Sequence, residues 1–138
     1  MHTNVESGME LAVVVIGRNE GERLKVCLQS ALTSSAETLV VYVDSGSTDG
    51  SVEYAQSTGC QVVCLDMSVP FTAARARNAG FQHALSSLPG LISVQFVDGD
   101  CEIVKGWLES AMSFLDANPS VAVVCGEVHE RYPEKSLY

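Results

Sequence analysis

Positive charge is scarce in this chain. Its 138 residues hold eight Lys plus Arg against seventeen Asp plus Glu, a formal net charge of −9. General nucleic-acid binders and proteins that dock on anionic membranes need a basic patch, so the balance argues against both. An anionic ligand has to be met by a few concentrated cations, and Arg18, Arg75 and Arg77 are three of the eight. Long apolar runs are also missing. None approaches the roughly 18 residues of a membrane-spanning helix, and the N-terminus carries no signal-peptide pattern, so a soluble chain is expected. There is no Cys-x-x-Cys pair. The cysteines, Cys27, Cys60, Cys64, Cys101 and Cys125, are odd in number and mostly lie in apolar runs. They read as reduced core thiols of a cytoplasmic protein. No Cys or His cluster completes a zinc site around Cys60 and Cys64. The Gly-Lys-Ser/Thr ending of a phosphate-binding P-loop is absent, as are internal repeats, low-complexity tracts and linkers.

What is present is enough apolar material for one core: 46% of the residues are hydrophobic and 18% charged. After a polar leader at 1–10, apolar β-branched runs alternate with stretches of helical spacing. Strands are expected at Leu11–Ile16, Leu39–Val43, Gln61–Leu65, Leu91–Val97 and Val121–Cys125. Helices are expected at Gly21–Thr33, Thr48–Ser57, Phe71–Ser87 and Val104–Ala117. Strands apolar on both faces and interleaved with helices predict an α/β domain, a mainly parallel sheet covered on both sides, over 11–138.

In such sheets ligands bind beyond the carboxyl ends of the strands. The expected strands end in or near Arg18-Asn-Glu20, Asp44, Asp66 and Asp98, so polar chemistry gathers on one edge. Ser47 or Thr48 caps the following helix in the plainest reading of Ser47-Thr-Asp49. That leaves Asp44, whose carboxylate can accept from a nucleobase imide or a ribose hydroxyl. Asp98-Gly-Asp100 is on its own either an acidic turn or a seat for a hard cation that also holds phosphate oxygens. Arg75 and Arg77 cannot share a helix face. Either both are solvated, or one pairs with a ligand phosphate or a site aspartate, with Asn78 and Gly80 allowing close backbone approach.

Together these stretches resemble the nucleotide-binding half of family 2 glycosyltransferases, which have the GT-A fold. Val14-Val-Ile-Gly-Arg-Asn-Glu20 is similar to the family's first strand and Asn-Glu turn. Val43-Asp-Ser-Gly-Ser-Thr-Asp-Gly50 is similar to its Asp-rich loop, Arg75-Ala-Arg-Asn-Ala-Gly80 to its Arg-Asn-x-Gly helix, and Asp98-Gly-Asp100 to its Asp-x-Asp motif. The resemblance implies a metal-dependent, inverting transfer from a nucleotide-diphosphate sugar, UDP-sugar favoured, to an acceptor hydroxyl. It implies nucleotide contacts by Gly17, Arg18, Asn19, Glu20, Asp44, Ser45, Arg77, Asp98 and Gly99, and Mn²⁺ or Mg²⁺ on Asp100 and Asp98. Two departures stand out. Ile16-Gly17-Arg18 replaces the family's Pro-Thr-Tyr, and the chain is shorter than the family's catalytic domains. The catalytic base is therefore expected beyond Tyr138, with Glu127 as the candidate within the chain, and an N-terminal part of a longer enzyme is expected, its membrane association not legible from these residues. A sheet cut short favours self-association. The acceptor is not legible. A nucleotidyltransferase, a binding fragment without turnover and a response-regulator-like acidic pocket are the competing readings.

Overall fold

The computed structural model describes residues 10–35 and 37–135. The elements run β1 (Leu11–Gly17), α1 (Glu22–Ser34), β2 (Thr38–Asp44), α2 (Ser51–Ser57), β3 (Gln61–Cys64), α3 (Ala73–Ser87), β4 (Ser93–Asp98) and α4 (Trp107–Ala117), with a 3₁₀ turn at Pro133–Lys135. The four strands are parallel in the order β3-β2-β1-β4. Of the expected leader, residues 1–9 lie outside the described residues; the Glu10 carbonyl accepts from the amides of Ile92 and Ser93 and ties the start of β1 to β4.

β1 shows why the middle of the sheet is buried on both faces. Its residues alternate between two cores, as strand period two requires. Val13 and Val15 pack with Leu24, Cys27 and Leu28 of α1, Ala55 of α2 and Leu108 of α4. Ala12, Val14 and Ile16 pack with Ala76 and Ala84 of α3. Residues 12–16 are buried throughout. α3 lies so close that a Cβ on Gly80 would stand 2.3 Å from Val14 Cγ1 and 2.9 Å from Val43 Cγ2. The close approach at Gly80 is therefore to the sheet rather than to a ligand.

Some boundaries differ from the sequence reading. α2 and α4 start later than expected because Gly50 and Gly106 precede them at φ 83° and 84°. A left-handed residue cannot continue a right-handed helix, so each helix begins just after its glycine. β3 stops at Cys64 and leaves Asp66 in a loop. The run Val121–Cys125 forms no strand, and Val123 and Val128 are exposed. β propensity is realised only against a partner strand, and among the described residues β4 pairs with β1 alone.

The thiols also divide. Cys27 and Cys60 are buried, but Cys64, Cys101 and Cys125 are exposed, because they fall on the outer strand β3, just after the Asp98-Gly-Asp100 turn and in the unpaired 121–125 segment. Burial pushes the Cys27 thiol up to about 12. At neutral pH a thiol reagent is expected to label Cys64, Cys101 and Cys125 in the native chain and to reach Cys27 and Cys60 only on unfolding. Five equally fast sites without denaturant would contradict this packing.

Candidate functional site

The chain winds from β1 outward to β3, then crosses back through α3 to place β4 on the other side of β1. The crevice between β1 and β4 is thus the topological switch point, where open α/β sheets bind ligands. Register brings the motifs together there. Ile16 lies beside Asp98 and Gly17 beside Asp44. The Gly99 amide donates to the Ile16 carbonyl at 2.8 Å, and the Ser45 amide to the Gly17 carbonyl at 3.0 Å. A Cβ on Gly99 would come 3.1 Å from that Ile16 carbonyl, so the Asp98-Gly-Asp100 turn sits tightly against the end of β1.

Asp44 is 3% exposed and engaged at both carboxylate oxygens. Its Oδ1 accepts from the Tyr42 hydroxyl at 2.8 Å, and its Oδ2 from the amides of Gly46 and Ser47 at 2.9 and 2.8 Å. The carboxylate therefore anchors the Ser45–Ser47 loop before it meets anything else. Burial of the Tyr42 ring pushes its phenol well above the ordinary range, so it stays a donor. Asp44→Ala leaves three donors without their acceptor. At ~1–3 kcal/mol for each unsatisfied buried group, relieved in part by water, a loss of about 2–4 kcal/mol is expected. It should appear as a lower urea midpoint at unchanged slope; an unchanged midpoint would show that the network contributes nothing.

The first turn is bolted to this loop. Asn19 sits at φ 53°, a left-handed conformation that asparagine tolerates. Its amide donates to Ser47 Oγ at 2.9 Å, and its Oδ1 accepts from the Thr48 amide at 2.7 Å. Gly21 N donates to Asp49 Oδ2 at 2.9 Å, while Asp49 Oδ1 accepts from the Ser51 hydroxyl and amide. These hydrogen bonds, Ser51 first, hold the Asp49 carboxyl below its ordinary value. Any stability they confer is present above the unfolded carboxyl's pKa and is lost as pH falls through the lowered one. The start of α2 is therefore served by Asp49, not by Ser47 or Thr48, because Ser47 is committed to Asn19.

From the other side α3 delivers Arg77, whose Nη2 lies 2.7 Å from Asp98 Oδ1. Of the two readings of the arginine pair, the site-aspartate one holds for Arg77. Arg75 does something else: its guanidinium donates to the carbonyls of Val69 and Asp66 and straps the loop before α3. That loop carries Phe71, whose ring lies under the Arg18 guanidinium at 4.7 Å. Glu20 is held near Arg23, 2.8 Å away but out of line for a hydrogen bond, so its buried Oε2 has no hydrogen-bond donor.

Asp100 is exposed, and among the described residues no cation pairs with it; its Oδ1 has the Cys101 thiol at 3.5 Å. Among the described residues no three of His, Cys, Asp and Glu come together as a metal cage. Two carboxylates on a tight turn fit a cation of another type, one that keeps its waters and takes its remaining ligands from phosphate, as Mg²⁺ does. Glu127 stands outside this constellation, exposed, with His129 at 3.5 Å. Trp107 packs against the α1-side core and donates to Gln95 of β4 at 2.6 Å, a structural role.

Sequence reasoning missed Tyr42 and Phe71. Tyr42 had a signal: it lies two positions before Asp44 on one strand, hence on the same face. Phe71 had none, because its partner is on a distant loop.

A parallel α/β sheet with aspartates and an arginine gathered at its switch-point crevice is the frame in which a ligand site is expected. Residues 12–137 match the model of the glycosyl transferase family 2, and the chain belongs to that family. Glycosyltransferase AglE of Haloferax volcanii is 27% identical over 129 residues, covering 89% of this chain and 40% of that protein. Solved structures share the fold: S. aureus TarS 1-349 with a TM-score of 0.66 and 24% identity, over 80% of this chain and 33% of that one; and the mannosyltransferase PcManGT of Pyrobaculum calidifontis, in complex with GDP-Man and Mn²⁺, with a TM-score of 0.62 and 23% identity, over 84% and 34%. The chain thus spans about 40% of the length of its curated relative. No described helix is long and apolar enough to cross a membrane.

Proposed function

We propose that this chain is the donor-binding part of a metal-dependent, inverting glycosyltransferase that uses a nucleotide-diphosphate sugar. The observation that carries the reading is the meeting of Asp98-Gly-Asp100, Arg77 and the bolted Asn19/Asp44 loops at one switch-point crevice. UDP-sugar is the first donor to test. GDP-sugar follows, since the solved neighbour PcManGT holds GDP-Man.

In this reading the loops of Gly17–Glu20 and Asp44–Ser45 form the nucleoside pocket. Asp44 acts mainly by holding Ser45–Ser47 in place, and its Oδ1, with one donor so far, keeps capacity for a second. Arg77 fixes the orientation of Asp98 and keeps a cation beside the diphosphate. Asp100, with no counter-charge of its own, and Asp98 would hold Mn²⁺ or Mg²⁺. Once bound, such an ion supplies Lewis-acid neutralisation of charge on the departing nucleoside diphosphate. The acceptor hydroxyl in an inverting transfer needs a general base. Glu127 is the carboxylate of the chain nearest to that task by sequence order, but its exposure and its histidine neighbour favour a base outside the described residues. The test is a transfer assay of the full-length protein against a panel of nucleotide-diphosphate sugars, with this 138-residue chain in parallel. Donor turnover by the longer protein and binding without turnover by this chain is the expected pair of results. Absence of turnover of every donor by a folded full-length enzyme would overturn the reading.

A further inference from the structure

Arg18 stands where the family's Pro-Thr-Tyr has its Tyr, and the structure supplies an aromatic ring from elsewhere. We infer that Arg18 and Phe71 together form the stacking wall of the nucleobase pocket, the guanidinium plane meeting the base and the Phe71 ring backing the guanidinium. This rests on the nucleotide reading proposed above.

Three observations carry it. First, the stack itself exists: the Arg18 Cζ lies 4.7 Å from the Phe71 centroid, and both residues are exposed. One guanidinium face is thereby used and the other left for a second planar group, the arrangement in which arginine stacks on aromatic systems. Second, both partners sit on chain that other contacts hold in place. Arg18 precedes left-handed Asn19, whose amide and side chain are tied to Ser47 and Thr48. Phe71 precedes Thr72, whose hydroxyl caps α3 by accepting from the Arg75 amide at 3.1 Å, while the Arg75 guanidinium straps the loop through Val69 and Asp66. Third, both loops touch the Asp44 loop. Met67, on the strapped loop, lies over Gly46 so closely that a Cβ there would meet Met67 Cγ at 3.0 Å. The wall therefore stands beside the loop that Asp44 anchors, at the carboxyl edge of β1 and β2.

An isolated surface cation–π pair predicts none of this placement and no ligand effect. A phosphate-binding Arg18 predicts an effect that does not depend on the base. Calorimetry separates the three. The probes are UDP, GDP and inorganic pyrophosphate, each with Mn²⁺. The variants are Arg18→Lys, which keeps the charge and loses the plane, and Phe71→Leu, which keeps apolar bulk and loses the ring. Base stacking on such a wall predicts that each variant weakens the better nucleoside diphosphate by roughly five- to twenty-fold and leaves pyrophosphate unchanged. Equal weakening of pyrophosphate overturns the proposal in favour of phosphate contact, and unchanged nucleotide affinity overturns it in favour of a surface pair. Wild-type chain that binds pyrophosphate as tightly as nucleotide has no base pocket to wall, which also overturns it. Wild-type chain that binds none of the three, nor CDP or dTDP, contradicts the nucleotide reading itself. Melting curves of both exposed-site variants confirm that the chain remains folded.

Discussion

Asp100→Ala is expected to leave the fold intact and to remove metal-dependent nucleotide binding. The side chain is exposed, has no cationic partner among the described residues and lies at the end of a turn whose shape is set by Gly99 against Ile16. Surface positions of that kind change stability by about 0.5 kcal/mol or less. The effect on binding is different in scale. Outer-shell partners of a metal typically cost 10–100-fold when removed, so losing a direct ligand should cost at least ~100-fold. The site has few substitutes: Asp98 shares its Oδ1 with Arg77, and Glu20 and Glu102 each lie beside an arginine, Arg23 and Arg131. Titration of the variant with Mn²⁺ and a nucleoside diphosphate checks this. An affinity equal to the parent's would put the metal seat elsewhere.

Gly80→Ala is expected to be the most destabilising single methyl in the chain. The new carbon would overlap Val14 Cγ1 at 2.3 Å, and both Val14 and Val43 are fully buried in the two central strands. Overpacking of a tight core costs typically ~1–3 kcal/mol, and an overlap with two strand side chains belongs at the upper end, about 3 kcal/mol. For a domain of this size that lowers Tm by on the order of 10 °C. α3 carries Arg77, so the displacement should also loosen the Arg77–Asp98 pair and weaken donor binding. Combining it with Val14→Ala makes room for the methyl, and the double variant should lose less than the sum of the two single losses. A melting temperature within about 2 °C of the parent's would show that α3 rides higher than described.

The central strands β1 and β2 were legible because burial on both faces leaves an unbroken apolar run, and both appear within one residue of where those runs lie. Helix starts were less legible. Ser47 and Thr48 look like caps in isolation, but Asn19 captures the Ser47 hydroxyl from another loop, and Gly50 holds a conformation that delays the helix. Val121–Cys125 has strand composition without a strand neighbour, and composition does not report neighbours. At the site, the aspartates and Arg77 were legible by type and order. What they do to one another was not: Asp44 is claimed by Tyr42 and two amides, and Arg18 by Phe71, through contacts that only the crossing of β1, β2 and α3 creates.

The most direct test of the donor-site account is calorimetric titration of the folded chain with UDP in the presence of Mn²⁺, repeated after chelation and with GDP, CDP and dTDP. The account predicts that one of the four binds with Mn²⁺ and that chelation removes most of its affinity. Binding that ignores the chelator, or a folded chain that takes up none of the four, would contradict it.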